Sequence, residues 1–231
     1  MIAQLTEGLA RWGLPTDAAP RLAAFATLVL ERNRVMNLTA ITDEADCAAR
    51  HLLDSAALLR AAAWQGKRVI DVGTGAGFPG VPLRIIEPDF DLTLLDSLGK
   101  RIDFLNEVIA RLALGRVDAV HARAEEFAAA HREEYDIAVS RAVAPLNVLC
   151  ELALPLVAVG GQFLAMKSVN TDEELSASRS AIGQLGGRIR SCWDYTVPTT
   201  DIQHRVVIID KLRPTPPAYP RTWARIKKRP L

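Results

Sequence analysis

The sequence predicts an α/β fold: a seven-stranded, mostly parallel β-sheet with an antiparallel last strand, helices on both faces and an N-terminal helical extension. Three observations support it. Short apolar strands alternate with helical patterns between residues 65 and 211. A glycine-rich turn follows the first strand, as at the nucleotide sites of such sheets. The last two strands are joined by residues 198–204 without a helix, so they should pair antiparallel at one edge.

The segment before the sheet, residues 1–64, is predicted to be an N-terminal helical cap. Its apolar residues recur at three- and four-residue steps, as in Leu22, Phe25, Leu28 and Val29. We interpret the cap as a packing layer or lid, and we assign Arg50 and His51 to solvated helix faces.

The sheet region begins after Gly66 and is predicted from alternating strand and helix signals. The strands are apolar runs at residues 69–72, 92–95, 117–121, 137–140, 162–166, 188–197 and 205–209. The helices are periodic patterns at residues 82–86, 100–112, 124–130, 146–157 and 172–185. Repeated units of this length predict a parallel sheet covered by helices on both faces.

The composition favours one globular domain. The chain has 231 residues, of which 49% are hydrophobic and 24% charged. Seven of its 28 basic residues follow Asp210 and none of its 27 acidic residues does, so the remainder carries a net charge of −6. We therefore divide a single domain, 1–231, into the cap, a cofactor-binding core at 65–211 and a basic tail at 212–231.

Cysteine content and hydropathy favour a cytoplasmic location. The three cysteines are odd in number and far apart in sequence, and no CxxC pair occurs, so we expect reduced thiols and no metal site. No run of 18 apolar residues occurs, so we expect no membrane contact.

The glycine turn allows two interpretations of the cofactor. Read from Gly75, residues 75–80 satisfy G-x-G-x-x-G, which would indicate NAD. Read from Asp71, the pattern Asp71-x-Gly73-x-Gly75-x-Gly77 is typical of an S-adenosyl-L-methionine turn. A carboxylate beside the loop suits a cationic sulfonium and would repel a pyrophosphate, so we favour the second interpretation. Asp71 could instead cap its own turn.

A second aspartate ends the second predicted strand. Asp96 is placed to accept hydrogen bonds from both ribose hydroxyls of the cofactor. Since this role is the same for NAD and S-adenosyl-L-methionine, Asp96 does not separate them.

Several motifs together resemble one family. They are residues 37–41 (NLTAI), 50–55 (RHLLDS), 69–83 (VIDVGTGAGFPGVPL), 94–101 (LLDSLGKR), 122–126 (ARAEE) and 140–146 (SRAVAPL). They are similar to those of the bacterial small-subunit ribosomal RNA methyltransferases called G, or glucose-inhibited division protein B. The resemblance implies a Rossmann-like, S-adenosyl-L-methionine-dependent enzyme that methylates N7 of a guanine in 16S ribosomal RNA.

The resemblance also implies roles for individual residues. Gly73 and Phe78 should contact the cofactor, Ala124 and Glu125 should flank its adenine, and Arg141 should lie at its methionine end. Together with the glycine turn, the expected cofactor-binding set is Asp71, Gly73, Gly75, Gly77, Phe78, Asp96, Ala124, Glu125 and Arg141.

The implied chemistry requires no catalytic acid or base. Guanine N7 is a lone pair without a proton, so transfer depends on alignment and desolvation. After the fourth strand, residues 140–143 (SRAV) lack the Asn/Asp-Pro-Pro-aromatic segment of exocyclic-amine methyltransferases, and no cysteine stands there for pyrimidine C5 chemistry. Arg141 is the candidate for positioning.

Basic residues form the candidate RNA-binding set. They are Lys100, Arg101, Arg221, Arg225, Lys227, Lys228 and Arg229. Phosphate neutralisation and base stacking need such charges beside aromatic rings, here Tyr219 and Trp223. The tail could instead be a disordered, solubilising segment.

The expected partner is 16S ribosomal RNA or the small-subunit particle, acted on by a monomer. Three other functions stay open at this point. They are an NAD-dependent oxidoreductase, a small-molecule methyltransferase and a non-catalytic RNA-binding module.

Overall fold

The computed structural model describes residues 1–141 and 144–231 and contains the predicted seven-stranded sheet. Its strands are β1 (Lys67–Val72), β2 (Phe90–Asp96), β3 (Val117–His121), β4 (Tyr135–Arg141), β5 (Val157–Ser168), β6 (Gly187–Thr196) and β7 (Gln203–Lys211). The strand order is β3-β2-β1-β4-β5-β7-β6.

The sheet is parallel except for β7. This strand lies between β5 and β6 and runs antiparallel to both, which confirms the predicted antiparallel ending. The chain places β2 and β3 on one side of β1 and then returns to add β4 on the other. This reversal opens a crevice at the carboxyl ends of β1 and β4, where doubly wound sheets bind ligands.

The helices of the sheet region follow the predicted alternation. They are α5 (Gly80–Ile86), α6 (Gly99–Arg111), α7 (Ala124–Ala130), α8 (Leu146–Ala153) and α9 (Asp172–Gln184). The predicted helix over residues 146–157 was too long. Pro155 lies in a 3₁₀ turn, Leu154–Leu156, and β5 begins directly after it, because proline has no amide hydrogen to continue a helix.

Helices cover both faces, because alternate residues of each strand enter different hydrophobic clusters. Val69 belongs to the cluster beneath the cap, α5 and α6, whereas Ile70 belongs to the cluster that includes α8. In the same way, Leu164 of β5 belongs to the first cluster and its neighbour Phe163 to the second. The sheet is thus buried on both sides, as its apolar strands predict.

The N-terminal cap packs on one face of the sheet. It contains α1 (Ile2–Arg11), a 3₁₀ turn (Thr16–Ala18), α2 (Ala19–Met36), α3 (Glu44–Cys47), a π-helical segment (Ala48–Leu53), α4 (Asp54–Ala56) and a second 3₁₀ turn (Ala57–Arg60). The predicted apolar stripe is buried: Leu22 and Phe25 are fully covered and share a cluster with Val69. The cap is therefore continuous with the core of the sheet.

The basic tail packs against the protein, in contrast to the alternative of a disordered, solubilising segment. Thr215 is buried and bonded to the main chain of Leu185. A short helix, α10 (Trp223–Lys228), buries Ile226 in the α8-side cluster. The tail residues are thus part of the fold.

A buried ion pair fixes the tail. The Glu151 side chain of α8 has no exposed surface, and Arg221 donates to it from Nε at 2.7 Å and from Nη2 at 2.6 Å. Because Arg221 is occupied here, the structure does not support its predicted role as an RNA contact.

No helix in the part of the chain that the structure describes is long and apolar enough to cross a membrane.

The Arg221 ion pair yields a stability prediction. Arg221→Ala would leave the Glu151 carboxylate buried without its cation, which costs about 3–5 kcal/mol of unfolding free energy in comparable cases. The matched control is Arg225→Ala in α10, whose side chain is exposed, and it should change stability by less than about 0.5 kcal/mol. Urea unfolding measures both; equal values for the two variants would contradict the buried-pair argument.

Candidate cofactor and substrate site

A cavity of about 800 Å³ lies where the parallel strands end. The glycine loop after β1 and Asp96 of β2 line one side, and the ends of β4 and β5 with the start of β7 line the other. The cap covers it with Thr39, Arg50, His51 and Asp54 among others. Strands are spaced about 4.8 Å apart, so β2 and β7, four intervals apart, span roughly 19 Å. The cavity has room for two ligands side by side.

Asp71 anchors the glycine loop from beneath. Its Oδ2 accepts hydrogen bonds from Thr74 Oγ1 at 2.7 Å and from the Gly80 amide at 2.9 Å. A Cβ on Gly80 would lie 2.9 Å from that same oxygen, so only glycine allows the loop to close this tightly. The loop conformation is therefore set by a side chain of the strand before it.

Burial raises the pKa of Asp71 to about 6, although the hydrogen bonds from Thr74 and Gly80 oppose the change. The side chain has no exposed surface, it does not line the cavity, and its Oδ1 has no hydrogen-bond partner. The structure thus corrects the predicted direct cofactor contact: Asp71 caps its own turn and reaches the cavity only through its charge.

Gly77 is also placed differently from the prediction. Its φ is +99°, and a Cβ there would lie 2.8 Å from Val81 Cγ2 and 3.0 Å from Leu105 Cδ2. Glycine is thus required for packing against helices α5 and α6. Gly73 and Gly75, in contrast, line the cavity, and their predicted contact with the cofactor stays a prediction.

Asp96 shapes the other wall. Its Oδ2 accepts from the Gly75 amide at 2.9 Å and pairs with Arg101 Nη1 at 3.1 Å, and its Oδ1 accepts from the Leu98 amide at 2.9 Å. Arg101, predicted to contact RNA, therefore lies in the cavity wall over Asp96. Only Lys100 of the predicted pair is exposed.

Arg141 joins the sheet to the cap. From the end of β4 its Nη1 donates to the Arg50 carbonyl at 3.1 Å and to Asp54 Oδ2 at 3.3 Å, and Nη2 lies 3.0 Å from His51 Nδ1. Its guanidinium also covers the Phe78 ring, 5.0 Å from the centroid. Both Arg141 and Phe78 line the cavity, and their predicted contacts with the cofactor stay predictions. The next two residues, Ala142 and Val143, lie outside the described residues, so the motif predicted there is not described.

His51 was wrongly assigned to a solvated face, whereas the Arg50 side chain is exposed as expected. Both line the cavity, and His51 stacks on Phe78 with 4.5 Å between ring centroids. Burial, and then the charge of Arg141, lowers the pKa of His51 to about 4, so the ring is neutral at physiological pH. Its Nε2 lies 2.7 Å from Thr39 Oγ1. The π-helical turn that carries Arg50 and His51 changes which side chains face the sheet, and α-helical spacing gives no sign of it.

Asp54 is the largest omission of the sequence interpretation. Only 1% of the residue is exposed, and its Oδ1 accepts from Tyr195 Oη and pairs with His204 Nδ1, both at 2.7 Å. Burial raises the pKa of Asp54, but the bonds from His204 and Tyr195 and the charge of Arg141 outweigh it and hold that pKa below its ordinary value. The carboxylate is therefore ionised.

Ala124 and Glu125 lie outside the cavity lining. They begin α7, directly beyond β3, whose His121 pairs in register with Asp96. Their predicted contact with an adenine stays a prediction. Among the described residues, no three His, Cys, Asp or Glu side chains group as metal ligands.

The site fits S-adenosyl-L-methionine better than NAD. In dinucleotide folds the free amides at the start of the first helix face a pyrophosphate. Here the Gly80 amide, at the start of α5, is bonded to the Asp71 carboxylate instead. A negative charge at this position repels phosphate and attracts a sulfonium or ammonium.

This fold and site define a Rossmann-like, S-adenosyl-L-methionine-dependent methyltransferase. The structure is similar to that of M. jannaschii TYW2, solved in complex with AdoMet. The TM-score is 0.54 at 11% identity, over 65% of this chain and 71% of that one.

The comparisons of sequence identify the family. The family described as rRNA small subunit methyltransferase G, or GidB, matches residues 18–193. The Ribosomal RNA small subunit methyltransferase G of Alkaliphilus oremlandii is 47% identical over 94% of this chain and 92% of its own length. That of Clostridium perfringens strain SM101 is 44% identical over 93% and 91%. The chain belongs to this family, as its motifs indicated.

The raised pKa of Asp71 predicts how stability depends on pH. The native state binds the Asp71 proton more tightly than the unfolded chain does. The contribution of this proton to the free energy of unfolding is therefore complete below about pH 4 and is lost as pH rises through about 6. The shift of roughly two units corresponds to about 3 kcal/mol. In Asp71→Asn the amide oxygen can accept the same two hydrogen bonds without a charge.

We therefore expect Asp71→Asn to gain about 3 kcal/mol of unfolding free energy relative to the wild type as pH rises from about 4 to 7, measured by urea unfolding, because only the wild type loses the Asp71 contribution. Asp118→Asn on the exposed face of β3 is the matched control and should follow the wild type. The same pH profile in the wild type and Asp71→Asn would refute the assignment.

Proposed function

We propose that this methyltransferase transfers the methyl group of S-adenosyl-L-methionine to N7 of a guanine in 16S ribosomal RNA. One observation about the cavity supports N7 as the acceptor atom. The carboxylates that line it are Asp54 and Asp96, and every oxygen of both is engaged by protein donors. An exocyclic amine or a carbon acceptor must lose a proton, whereas N7 has none to lose.

The two buried cysteines are equally unsuited to act as nucleophiles. Cys47 is fully covered and burial raises its pKa to about 12. Cys150 is also fully covered, and burial raises its pKa further. Neither thiol can form the thiolate that carbon-5 methylation of pyrimidines needs.

The cofactor is proposed to lie along the β1 and β2 side of the cavity. Asp96 would accept from the ribose hydroxyls, which requires Arg101 to share or leave that carboxylate. Gly73 and Gly75 let the main chain approach, and Phe78 supplies an apolar wall beside Arg141. Ala124 and Glu125 would flank the adenine from the start of α7. Asp71 contributes its negative charge from below the loop.

The RNA is proposed to cross the open rim of the cavity and the tail. Asn147, in the first turn of α8, donates to the Leu231 carbonyl at 2.7 Å, so the tail ends at the same side of the sheet as Arg141. The exposed basic residues in and directly after α10 are Arg225, Lys227, Lys228 and Arg229. Trp223 is 36% exposed and is available for stacking. Lys100 extends this surface on the other side of the cavity.

Methyl transfer to RNA tests the function directly. We expect labelled methyl from S-adenosyl-L-methionine to enter 16S ribosomal RNA, free or in the small-subunit particle, at one position that borohydride and aniline cleave as 7-methylguanine. Label found only in small molecules would favour a small-molecule methyltransferase. Adenosylhomocysteine binding without transfer to either RNA form would favour a non-catalytic RNA-binding module, and preferential binding of NAD would favour the oxidoreductase.

The exposed tail charges predict a change in salt dependence. Lys227→Ala/Lys228→Ala should weaken RNA binding and reduce the slope of log K against log salt by about 1.5, since each phosphate contact contributes roughly 0.7–0.9. Adenosylhomocysteine affinity should not change. The control is Arg111→Ala/Arg188→Ala, two exposed charges near the opposite ends of the strands. Equal slopes for both double variants would exclude the tail from the RNA interface.

A further inference from the structure

His204 occupies a position that the proposed chemistry does not yet use. It lies at the start of β7, in register with Ser168 of β5 and with Tyr195 of β6, and it lines the cavity opposite Asp96. The ring is partly exposed, with 30% of its side-chain surface accessible, while its partner Asp54 is buried. One ring edge is thus held by the protein and the other is open to the cavity.

The hydrogen bonds around Asp54 fix which nitrogen carries a proton. Asp54 is ionised, so it can only accept, and it lies 2.7 Å from His204 Nδ1. Nδ1 therefore holds a proton, and in this tautomer Nε2 is the hydrogen-bond acceptor of the ring. No hydrogen bond to Nε2 occurs among the described residues. Tyr195 and Arg141 occupy the other positions on the carboxylate and keep it from rotating.

An acceptor at this place distinguishes guanine from adenine. Guanine carries a hydrogen on N1, whereas N1 of adenine is a lone pair that would face the lone pair of Nε2. Enzymes that act on a base take it out of the stack and read its Watson–Crick edge. The Nδ1-protonated tautomer of His204 matches the donor edge of guanine and rejects adenine.

The same hydrogen bond strengthens during the reaction. The methyl sulfonium bond breaks as the bond to N7 forms, and the positive charge moves from sulfur to the purine ring. This charge makes the N1 hydrogen more acidic, so an acceptor bonded to it binds the transition state better than the substrate. The proton stays on N1, and no base is required. A protonated His204 donating to O6 would instead withdraw electrons from N7.

We propose that His204, oriented by Asp54 and Tyr195, binds the N1 hydrogen of the acceptor guanine and selects guanine for methylation. This inference rests on the proposed function, because it assumes guanine N7 as the acceptor. It adds the residue that reads the base.

Base analogues test the contact. 16S ribosomal RNA is assembled by ligation with guanine, inosine or 2-aminopurine at the methylated position. All three keep N7; inosine keeps the N1 hydrogen, and 2-aminopurine lacks it. The wild type should prefer guanine over 2-aminopurine by at least about tenfold in kcat/KM, and should methylate inosine within a few-fold of guanine.

Substitutions at His204 test whether this residue causes the preference for guanine over 2-aminopurine. His204→Leu has no acceptor and should methylate guanine and 2-aminopurine at similar, lowered rates. His204→Gln can present an amide oxygen and should keep part of the preference. His131→Leu, a partly exposed histidine beyond the end of α7, is the matched control and should keep the wild-type ratio. Adenosylhomocysteine affinity should be the same in all of them.

Asp54→Asn gives a second test. The amide can donate to Nδ1 and move the ring proton to Nε2, so preference for guanine over 2-aminopurine should vanish or reverse. If Asp54→Asn does not fold, the ratio of kcat/KM for guanine to kcat/KM for 2-aminopurine in His204→Gln decides whether His204 reads the base. An unchanged ratio in His204→Leu overturns the role of His204 while leaving the proposed function intact. Absence of guanine methylation by the wild type would overturn both.

Discussion

The buried carboxylate of Asp54 holds the site together. It belongs to the N-terminal cap, yet its partners are Arg141, Tyr195 and His204, side chains of three different strands. The buried Tyr195 hydroxyl would otherwise be covered without a hydrogen bond, which costs more than the bond itself contributes. Because one carboxylate satisfies all three, the cap can close over the sheet and still leave a polar cavity between them.

The glycine loop depends on a second buried carboxylate, that of Asp71. The carboxylates of Asp54 and Asp71 act differently. Asp54 is ionised and fixes side chains, whereas Asp71 has a pKa raised by burial and fixes the main chain at Gly80. The position of Asp71 at the first amide of α5 also explains the choice of cofactor, because it removes the anion site that a dinucleotide needs. A single hydrogen bond, from the Gly80 amide to Asp71, thus distinguishes this glycine turn from the dinucleotide turn whose sequence pattern it also matches.

Much of the fold could be predicted from the sequence, because its signals are local. Apolar runs mark the strands, and the missing helix before β7 marks the antiparallel edge. The site was harder to predict because its hydrogen bonds join residues that are far apart in sequence. His204 and Asp54 are 150 residues apart, and no local pattern indicates that they meet. Charge was misleading for Arg221 and Arg101, since a basic residue gives no sign that a buried Glu151 or Asp96 is its partner.

The ion pair between Glu151 and Arg221 has a consequence for synthesis of the protein. A ribosome makes Glu151 seventy residues before Arg221. Until Arg221 has been made and can reach α8, that helix carries a carboxylate that cannot be buried without its cation. The α8-side core therefore closes late in synthesis, after the sheet region that precedes the tail is already complete.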